Sequence, residues 1–350
     1  MFPRSGRTVK ILILKASALG DVVQALPILR LIKQHLPASE IYWWIDESLG
    51  ALVEDDPDLS GVLTFERRKW RTRANLVKIW QDVLWMRRQR FDWVIDLQGL
   101  LRTGVFAWLA NGKFNVGMDE PREGARGFYE VIVRRPSFHT HAVDWYLEVL
   151  KVLHVPVNST FEWLPPRQAA AKSIRSRWPV DHSKWILLQP GARWSNKRWP
   201  VDHFATLAQQ LLGQFGDHSI VVSGSQADAP LGQAVAAVNP KRCLDLTGQL
   251  SLPEMIEWIR ASSWVITNDT GPMHVAAALK RPVTALFGPT DPKRTGPYGQ
   301  IEHALQMRLE CVPCFKSYCA HTPKLECLQT LSPSKVFAAV CDRYVPSSPQ

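Results

Sequence analysis

The sequence lacks any apolar run long enough to cross a membrane, and it has no low-complexity tract. Its longest apolar stretches are interrupted by Lys15, Lys280 or Arg281, far short of the roughly 18 to 20 residues that a bilayer requires. The apolar segment at residues 11–14 follows three basic residues, but it is too short for a signal-peptide core and no small-residue cleavage site follows. We therefore expect a cytoplasmic protein with no transmembrane segment.

Acidic residues are also scarce relative to basic ones, with 32 against 42 and a net charge of +10. This excess predicts an anionic partner, which could be nucleic acid, an anionic membrane surface, or a phosphorylated small molecule or lipid. Residues 67–90 hold nine basic residues and one acidic residue, interleaved with tryptophans. Such a patch could equally be a solvated helix face, and no nucleic-acid-binding motif accompanies it. We therefore expect no nucleic-acid partner and keep nucleic-acid binding only as an alternative.

Short apolar runs alternate with amphipathic helical runs in two series, separated by a proline-containing stretch at residues 156–166. The predicted strands are residues 9–15, 41–45, 62–65 and 93–97, then 185–189, 219–223, 264–267 and 283–287. The predicted helices are residues 22–36, 76–88 and 142–153, then 201–215, 252–261 and 272–279. Alternation of this kind is typical of parallel α/β sheets. The fold class is therefore α/β, with two doubly wound Rossmann-like domains, residues 1–165 and 166–350, facing each other across a cleft.

A last helix is indicated by Ser332 and Pro333, which suit an N-cap and a first helical position. It should end near Tyr344. We expect that this helix, from about residue 332, can pack back on the N-terminal domain.

Ligands of open parallel sheets bind beyond the carboxyl ends of the strands, so four strand-to-helix loops are candidate sites. The first, residues 16–21, ends at Asp21, which could be a plain N-cap or a general base. The second, residues 268–274, could bind phosphate through its backbone amides. There Asp269 could be only a cap, and His274 only a helix-packing histidine.

The third loop, residues 189–200, brings together three cations, of which Lys197 and Arg198 are the candidates to bind pyrophosphate. A departing pyrophosphate needs Lys or Arg when no metal is bound. The fourth loop, residues 223–228, could reach a nucleotide ribose or base.

The string ILKASALGDVVQALP at residues 13–27 resembles the opening of the bacterial lipopolysaccharide heptosyltransferases, which form glycosyltransferase family 9. Four further strings resemble later motifs of that family in the same order: VIDLQGL (94–100), KRWP (197–200), NDTGPMH (268–274) and FGPTDP (287–292). The resemblance covers essentially the whole chain.

This resemblance implies a GT-B fold with the acceptor on the N-terminal domain and ADP-heptose mainly on the C-terminal one. The implied reaction is an inverting transfer of heptose to the inner-core acceptor, Kdo-lipid A or heptosyl-Kdo-lipid A, with no cofactor for catalysis. Asp21 would be the catalytic base. The implied donor-binding residues are Lys197, Gln226, Asp269, Thr270, Gly271 and His274. The implied acceptor-binding residues are Arg67, Arg68, Arg71, Gln98, Arg122 and Arg126.

The basic segments resemble heptosyltransferase I most, and the acceptor would then be phosphorylated, lipid-linked and held at the inner face of the inner membrane. Gln226 departs from the pattern, because that subgroup has an acidic residue there. The cysteine spacing instead resembles heptosyltransferase II.

Four of the six cysteines, Cys311, Cys314, Cys319 and Cys327, fall within seventeen residues. In a cytoplasmic protein this clustering is compatible with a structural zinc or iron ion, although the spacing is not that of a standard zinc ribbon, and reduced thiols or disulfides are the alternative. Two other functions also stay open: heptose transfer to a protein hydroxyl, and non-enzymatic nucleic-acid binding.

Overall fold

Two six-stranded parallel sheets, one in each half of the chain, organise the protein. The computed structural model describes residues 8–66, 73–119, 124–158, 161–181 and 184–343. The chain divides into two compact units, Met1–Pro165 and Pro166–Gln350. Each unit carries helices on its sheet, so the predicted fold class of two doubly wound α/β domains is confirmed.

The sheet of the first unit has the order β3-β2-β1-β4-β5-β6. This is the Rossmann order, in which the strand sequence reverses between β1 and β4. The strands are β1 (Lys10–Leu14), β2 (Glu40–Asp46), β3 (Gly61–Phe65), β4 (Trp93–Asp96), β5 (Phe114–Met118) and β6 (Val131–Val133). The helices are α1 (Leu19–His35), α2 (Arg73–Gln89), α3 (Leu101–Ala110) and α4 (Ala142–Val152).

The central strand of this sheet is β1, which has a neighbour on each side and whose Ile11 to Leu14 segment is fully buried. A strand buried on both faces reads as a continuous apolar run, which is why the sequence identifies it clearly. On one face α1 packs against α4, whose buried positions Val143, Tyr146 and Leu150 recur at helical spacing.

The second unit repeats the same topology, with the order β12-β11-β10-β7-β8-β9 and the reversal between β7 and β10. Its strands are β7 (Trp185–Gln189), β8 (Ser219–Val222), β9 (Cys243–Asp245), β10 (Trp264–Asn268), β11 (Val283–Phe287) and β12 (Ala304–Gln306). Its helices are α5 (Gln168–Arg177), α6 (Val201–Gln214), α7 (Ala229–Ala236), α8 (Leu252–Ala261), α9 (Gly271–Ala278), α10 (Pro292–Thr295), α11 (Glu326–Gln329) and α12 (Pro333–Cys341).

The last helix, α12, belongs to the core of the second unit. Its Val336 and Val340 are fully buried in the same cluster as Phe204 of α6, and the indole Nε1 of Trp199 donates to the Leu331 carbonyl oxygen at 2.7 Å just before the helix. The expectation that this helix also packs back on the N-terminal domain stays a prediction. Ser332 caps it as predicted. The helix ends at Cys341, and Tyr344 lies outside the described residues.

Within the ranges given above, none of the helices combines the length and the apolar character needed to span a bilayer.

Candidate functional site

The loop between β1 and α1 presents Asp21 in the third position of the helix. Its Oδ2 accepts the Ala18 N–H at 2.9 Å, so Ala18 occupies the N-cap position and Asp21 reaches back to it. This is the carboxylate half of a capping box. The contact orients the half-buried side chain through Oδ2 and leaves the carboxylate with lone pairs that can accept a proton. Capping and base chemistry are therefore compatible in this geometry.

Lys15, at the end of β1, places a buried positive charge beside Asp21. Its Nζ donates to the Leu97 carbonyl oxygen at 2.9 Å and lies 4.9 Å from the centre of the Tyr146 ring. Burial by itself would lower the pKa of this lysine, but its interactions with the Tyr146 hydroxyl and with the carboxylates of Asp21 and Asp96 outweigh burial and raise the pKa. Lys15 is thus a cation at neutral pH. Sequence reasoning treated Lys15 only as an interruption of an apolar run; its position just before a candidate loop was the available signal.

Gln98 follows β4 and contacts the same loop. Its Oε1 accepts the N–H groups of Ala16 and Ser17, both at 3.2 Å. The structure thus brings Gln98 to the Asp21 loop, as expected for neighbouring strands at the reversal point of the sheet. Its predicted contact with an acceptor stays a prediction.

Of the basic residues predicted to bind the acceptor, the structure describes Arg126. Arg126 is mostly exposed, and its Nε pairs with Asp119 Oδ1 at 2.6 Å. Arg67, Arg68, Arg71 and Arg122 lie outside the described residues. Their role in acceptor binding stays a prediction.

In the second unit, the loops after β7 and β10 meet through Lys197 and Asp269. The Lys197 Nζ lies 2.5 Å from Asp269 Oδ2, and the Thr290 hydroxyl donates to the same oxygen at 2.5 Å. Asp269 is 5% exposed and Lys197 18% exposed. Asp269 is not the cap of α9, because Thr270 occupies that position. Gly271 begins the helix and His274 lies half-buried on it.

The same two loops are tied by Asn268. Its Oδ1 accepts the Trp199 N–H at 3.0 Å and its Nδ2 donates to the Pro190 carbonyl oxygen at 2.8 Å. Lys197 is thereby held in place both through its own charge pair and through the backbone of its loop.

A cavity of about 430 Å³ opens beside these loops, at the carboxyl ends of β7, β8 and β10. Its size is within the range of small-molecule and cofactor sites. It is lined by Gln189, Gly191, Ala192, Arg193, Arg198, Ser223, Gly224, Ser225, Asp228, Leu250, Ser251, Leu252, Met255, Thr270 and Pro272.

The charged lining of this cavity consists of Arg193, Arg198 and Asp228. Arg198 is held by its Nε, which donates to the Ala192 carbonyl oxygen at 2.8 Å, and its Nη2 lies 3.7 Å from Asp228 Oδ1. Asp228 is buried, and its Oδ2 accepts the N–H and the hydroxyl of Ser225 at 3.0 and 2.6 Å. Of the two candidate cations of this loop, Lys197 faces in towards Asp269 and Arg198 towards the cavity.

Asp228 was not among the residues selected from the sequence, which favoured Gln226 of the same loop. Gln226 is exposed and lies over Gly248, where a side chain would collide with it. The sequence carries no clear signal for Asp228; in the structure its carboxylate packs on Gly191, where a Cβ atom would overlap it.

The four clustered cysteines line one cavity of about 220 Å³, together with Asn196 and Pro289 among others. Burial and the neighbouring thiols raise the pKa of Cys327 to about 11. Among the residues that the structure describes, no group of three or more Cys, His, Asp or Glu side chains is arranged to hold a metal ion. The structure thus gathers the four thiols around one cavity, and a structural zinc or iron ion there stays a prediction.

Comparison with known proteins gives consistent similarities. Residues 78–325 match the model of glycosyltransferase family 9 (heptosyltransferase). Lipopolysaccharide heptosyltransferase 1 of Pseudomonas aeruginosa is 27% identical over 329 residues, which cover 91% of this chain and 89% of that protein. Among solved structures, a glycosyl transferase family 9 protein of Veillonella parvula has a TM-score of 0.79 at 25% identity and covers 95% of this chain and 96% of that one. Escherichia coli heptosyltransferase WaaC with ADP has a TM-score of 0.77 at 23% identity and covers 96% and 100%.

Proposed function

Because the chain belongs to glycosyltransferase family 9, the heptosyltransferases, we propose that it transfers a heptose from ADP-heptose to the inner core of lipopolysaccharide. The acceptor is Kdo-lipid A or its heptosylated form. Full-length similarity to a lipopolysaccharide heptosyltransferase 1 supports the first of these acceptors. Membership of an enzyme family also removes the reason to consider a nucleic-acid-binding protein.

The observation that carries the donor assignment is the cavity of the second unit. It is large enough for a nucleotide, has Arg193 and Arg198 on its wall, and borders the first residues of α8 and α9. Helix N-termini and arginine side chains both attract phosphate oxygens. A nucleoside diphosphate sugar therefore fits the chemistry of this cavity.

Donor cleavage in this proposal depends on side-chain cations. Lys197 and Arg198 meet the negative charge that develops on the departing ADP, and Asp269 holds the Lys197 ammonium at the edge of the loop. Positioned cations of this kind stabilise a transition state strongly because they need no reorganisation during the reaction. The prediction that catalysis needs no metal cofactor thus becomes part of the proposal.

Asp21 acts as the base of the proposed displacement. Its carboxylate takes the proton of the acceptor hydroxyl while the hydroxyl oxygen bonds to the anomeric carbon of heptose. The bond from the anomeric carbon to the phosphate oxygen breaks at the same time, and ADP leaves with the electron pair. A single displacement of this kind inverts the anomeric configuration.

The acceptor in this proposal is a phosphorylated, lipid-linked sugar at the inner face of the inner membrane. The net charge of +10 favours an anionic acceptor and an anionic surface. Arg67, Arg68, Arg71 and Arg122 are the proposed acceptor contacts, together with Arg126.

The test combines the purified chain with ADP-heptose and Kdo-lipid A in the presence of EDTA, followed by mass spectrometry of the lipid. We expect a mass gain of one heptose and the release of ADP, with Lys197→Ala as the impaired control. Parallel reactions contain heptosyl-Kdo-lipid A or a serine-rich surface protein as the acceptor. Transfer only to the protein, or turnover only after Mg²⁺ is added, would contradict the proposal.

A further inference from the structure

The side chain of Gln98 connects two loops of the first unit where the strand order reverses. Its Oε1 accepts two consecutive backbone N–H groups, those of Ala16 and Ser17, both at 3.2 Å. Gln98 follows β4, and Ala16 and Ser17, whose N–H groups donate to it, follow the neighbouring strand β1. One amide oxygen therefore links the ends of two central strands.

Gln98 is itself fixed by Asp96, the last residue of β4. Asp96 is fully buried; its Oδ1 accepts the N–H groups of Gln98 and Gly99 at 2.8 and 3.1 Å, and its Oδ2 accepts the Tyr129 hydroxyl at 2.6 Å. Gly99 takes a φ of +68°, which permits the turn that follows. The backbone from which the Gln98 side chain extends is thus held by two amides that donate to one buried carboxylate, and the Tyr129 hydroxyl holds that carboxylate in turn.

The loop that receives this support cannot be held by its own side chains. Ala16, Ser17 and Ala18 are small, and exposure increases from buried Ala16 to exposed Ala18. Such a segment has little apolar surface to bury, so hydrogen bonds to its backbone decide its conformation. The next N–H along, that of Ala18, donates to Asp21 Oδ2 at 2.9 Å.

We propose that Gln98 is a positioning residue for Asp21 and not a contact to the acceptor. The route is short: Gln98 fixes the Ala16 and Ser17 amides, the adjoining Ala18 amide fixes Asp21 Oδ2, and the carboxylate is thereby aimed. This inference rests on the proposed function, in which Asp21 is the base. Misplacing a catalytic group by about 1 Å can cost on the order of 10² in rate.

The kinetic test compares Gln98→Leu, which fills a similar volume but has no acceptor oxygen, with Gln98→Glu, which keeps one. We expect Gln98→Leu to lower kcat by roughly 10-fold to 10²-fold with the KM values of both substrates within about twofold. Gln98→Glu should retain more of the turnover. A raised acceptor KM at unchanged kcat would overturn the proposal in favour of acceptor binding, and equal losses in the two variants would also count against it.

Two further measurements separate this proposal from the function on which it rests. Hydrogen exchange of the peptide containing residues 15–21 should be faster in Gln98→Leu at an unchanged Tm, whether or not the enzyme uses the proposed substrates. In an Asp21→Asn background, Gln98→Leu should cause no further loss of kcat, since it acts through Asp21. Unchanged exchange or additive losses would overturn it. Gln98→Asn, whose oxygen falls short of the loop, replaces Gln98→Leu if the latter does not fold.

Discussion

Glu254, the third residue of α8, is expected to make the stability of the second unit fall at low pH. Its Oε2 accepts the N–H and the hydroxyl of Ser251, both at 2.9 Å, which completes a capping box. Its Oε1 accepts the Ser173 hydroxyl at 2.6 Å and an Arg177 N–H at 2.8 Å, which ties α5 to α8. The same helix start lines the cavity through Ser251 and Leu252.

Burial by itself would raise the pKa of Glu254, but the hydrogen bonds from Ser173, Ser251 and Arg177 outweigh it and hold the pKa at about 2, against an ordinary value of 4.5. A difference of this size corresponds to about 3 kcal/mol of folding free energy at pH 7. Arg177 is 43% exposed, so solvent screens its share. We therefore expect about 2 kcal/mol.

The folded state has the lower pKa, so this stabilisation is present above pH 4.5 and is lost as the pH falls towards 2. Glu254→Gln preserves the shape of the side chain but removes its charge. It should lower the free energy of unfolding by about 2 kcal/mol at pH 7 and by about half as much at pH 3.5. Urea unfolding of the full chain at the two pH values measures both quantities.

Ser173→Ala is the graded companion, because it removes one of the hydrogen bonds to the Glu254 carboxylate and leaves the carboxylate in place. It should show a smaller loss at pH 7 that also shrinks on acidification. If Glu254→Gln costs the same at pH 7 and pH 3.5, the contribution comes from shape and neutral hydrogen bonding, and the electrostatic reasoning is refuted.

Three further outcomes are expected. Asp21→Asn keeps an oxygen for the Ala18 N–H but cannot take a proton, so kcat should fall roughly 10²-fold to 10⁴-fold at an unchanged Tm; near-normal turnover would leave Asp21 with a capping role only. Lys197→Ala should lower the rate by a factor on the order of 10² to 10³. It should also lower the Tm, because buried Asp269 loses its positive partner. Adding Asp269→Asn should restore the Tm but not the rate. Because its pKa is raised to about 11, Cys327 should be alkylated by iodoacetamide at pH 8 far more slowly than free cysteine; an equal rate, read by peptide mass spectrometry, would contradict this geometry.

Strands with continuous apolar sequences could be predicted closely from the sequence. The runs at residues 185–189 and 283–287 form strands with those same ends. The edge strands β6, β9 and β12 were missed because three residues are too few to show a period. The strand β5 was missed because it contains Asn115 and Gly117, where the Tyr129 ring occupies the space of a side chain.

The candidate site could be predicted as a set of loops but not as a set of contacts. Lys197 and Asp269 are far apart in sequence, and their pairing follows from β7 lying next to β10, an order that alternation alone does not specify. Asp228 was missed for a different reason. Its loop reads as an ordinary turn, and only the folded structure places its carboxylate against Gly191 and on the wall of the cavity.

The two amide side chains at the strand reversals, Gln98 and Asn268, set a limit on how this protein can be recombined with its relatives. Each binds the backbone of a loop that follows a different strand. A chimaera can exchange the loop after β7 and keep Asn268, or keep that loop and exchange Asn268. In either case the amide and the backbone that it binds come from different proteins. Substrate preference should therefore transfer between homologues only when both loops of a reversal point are grafted as one cassette.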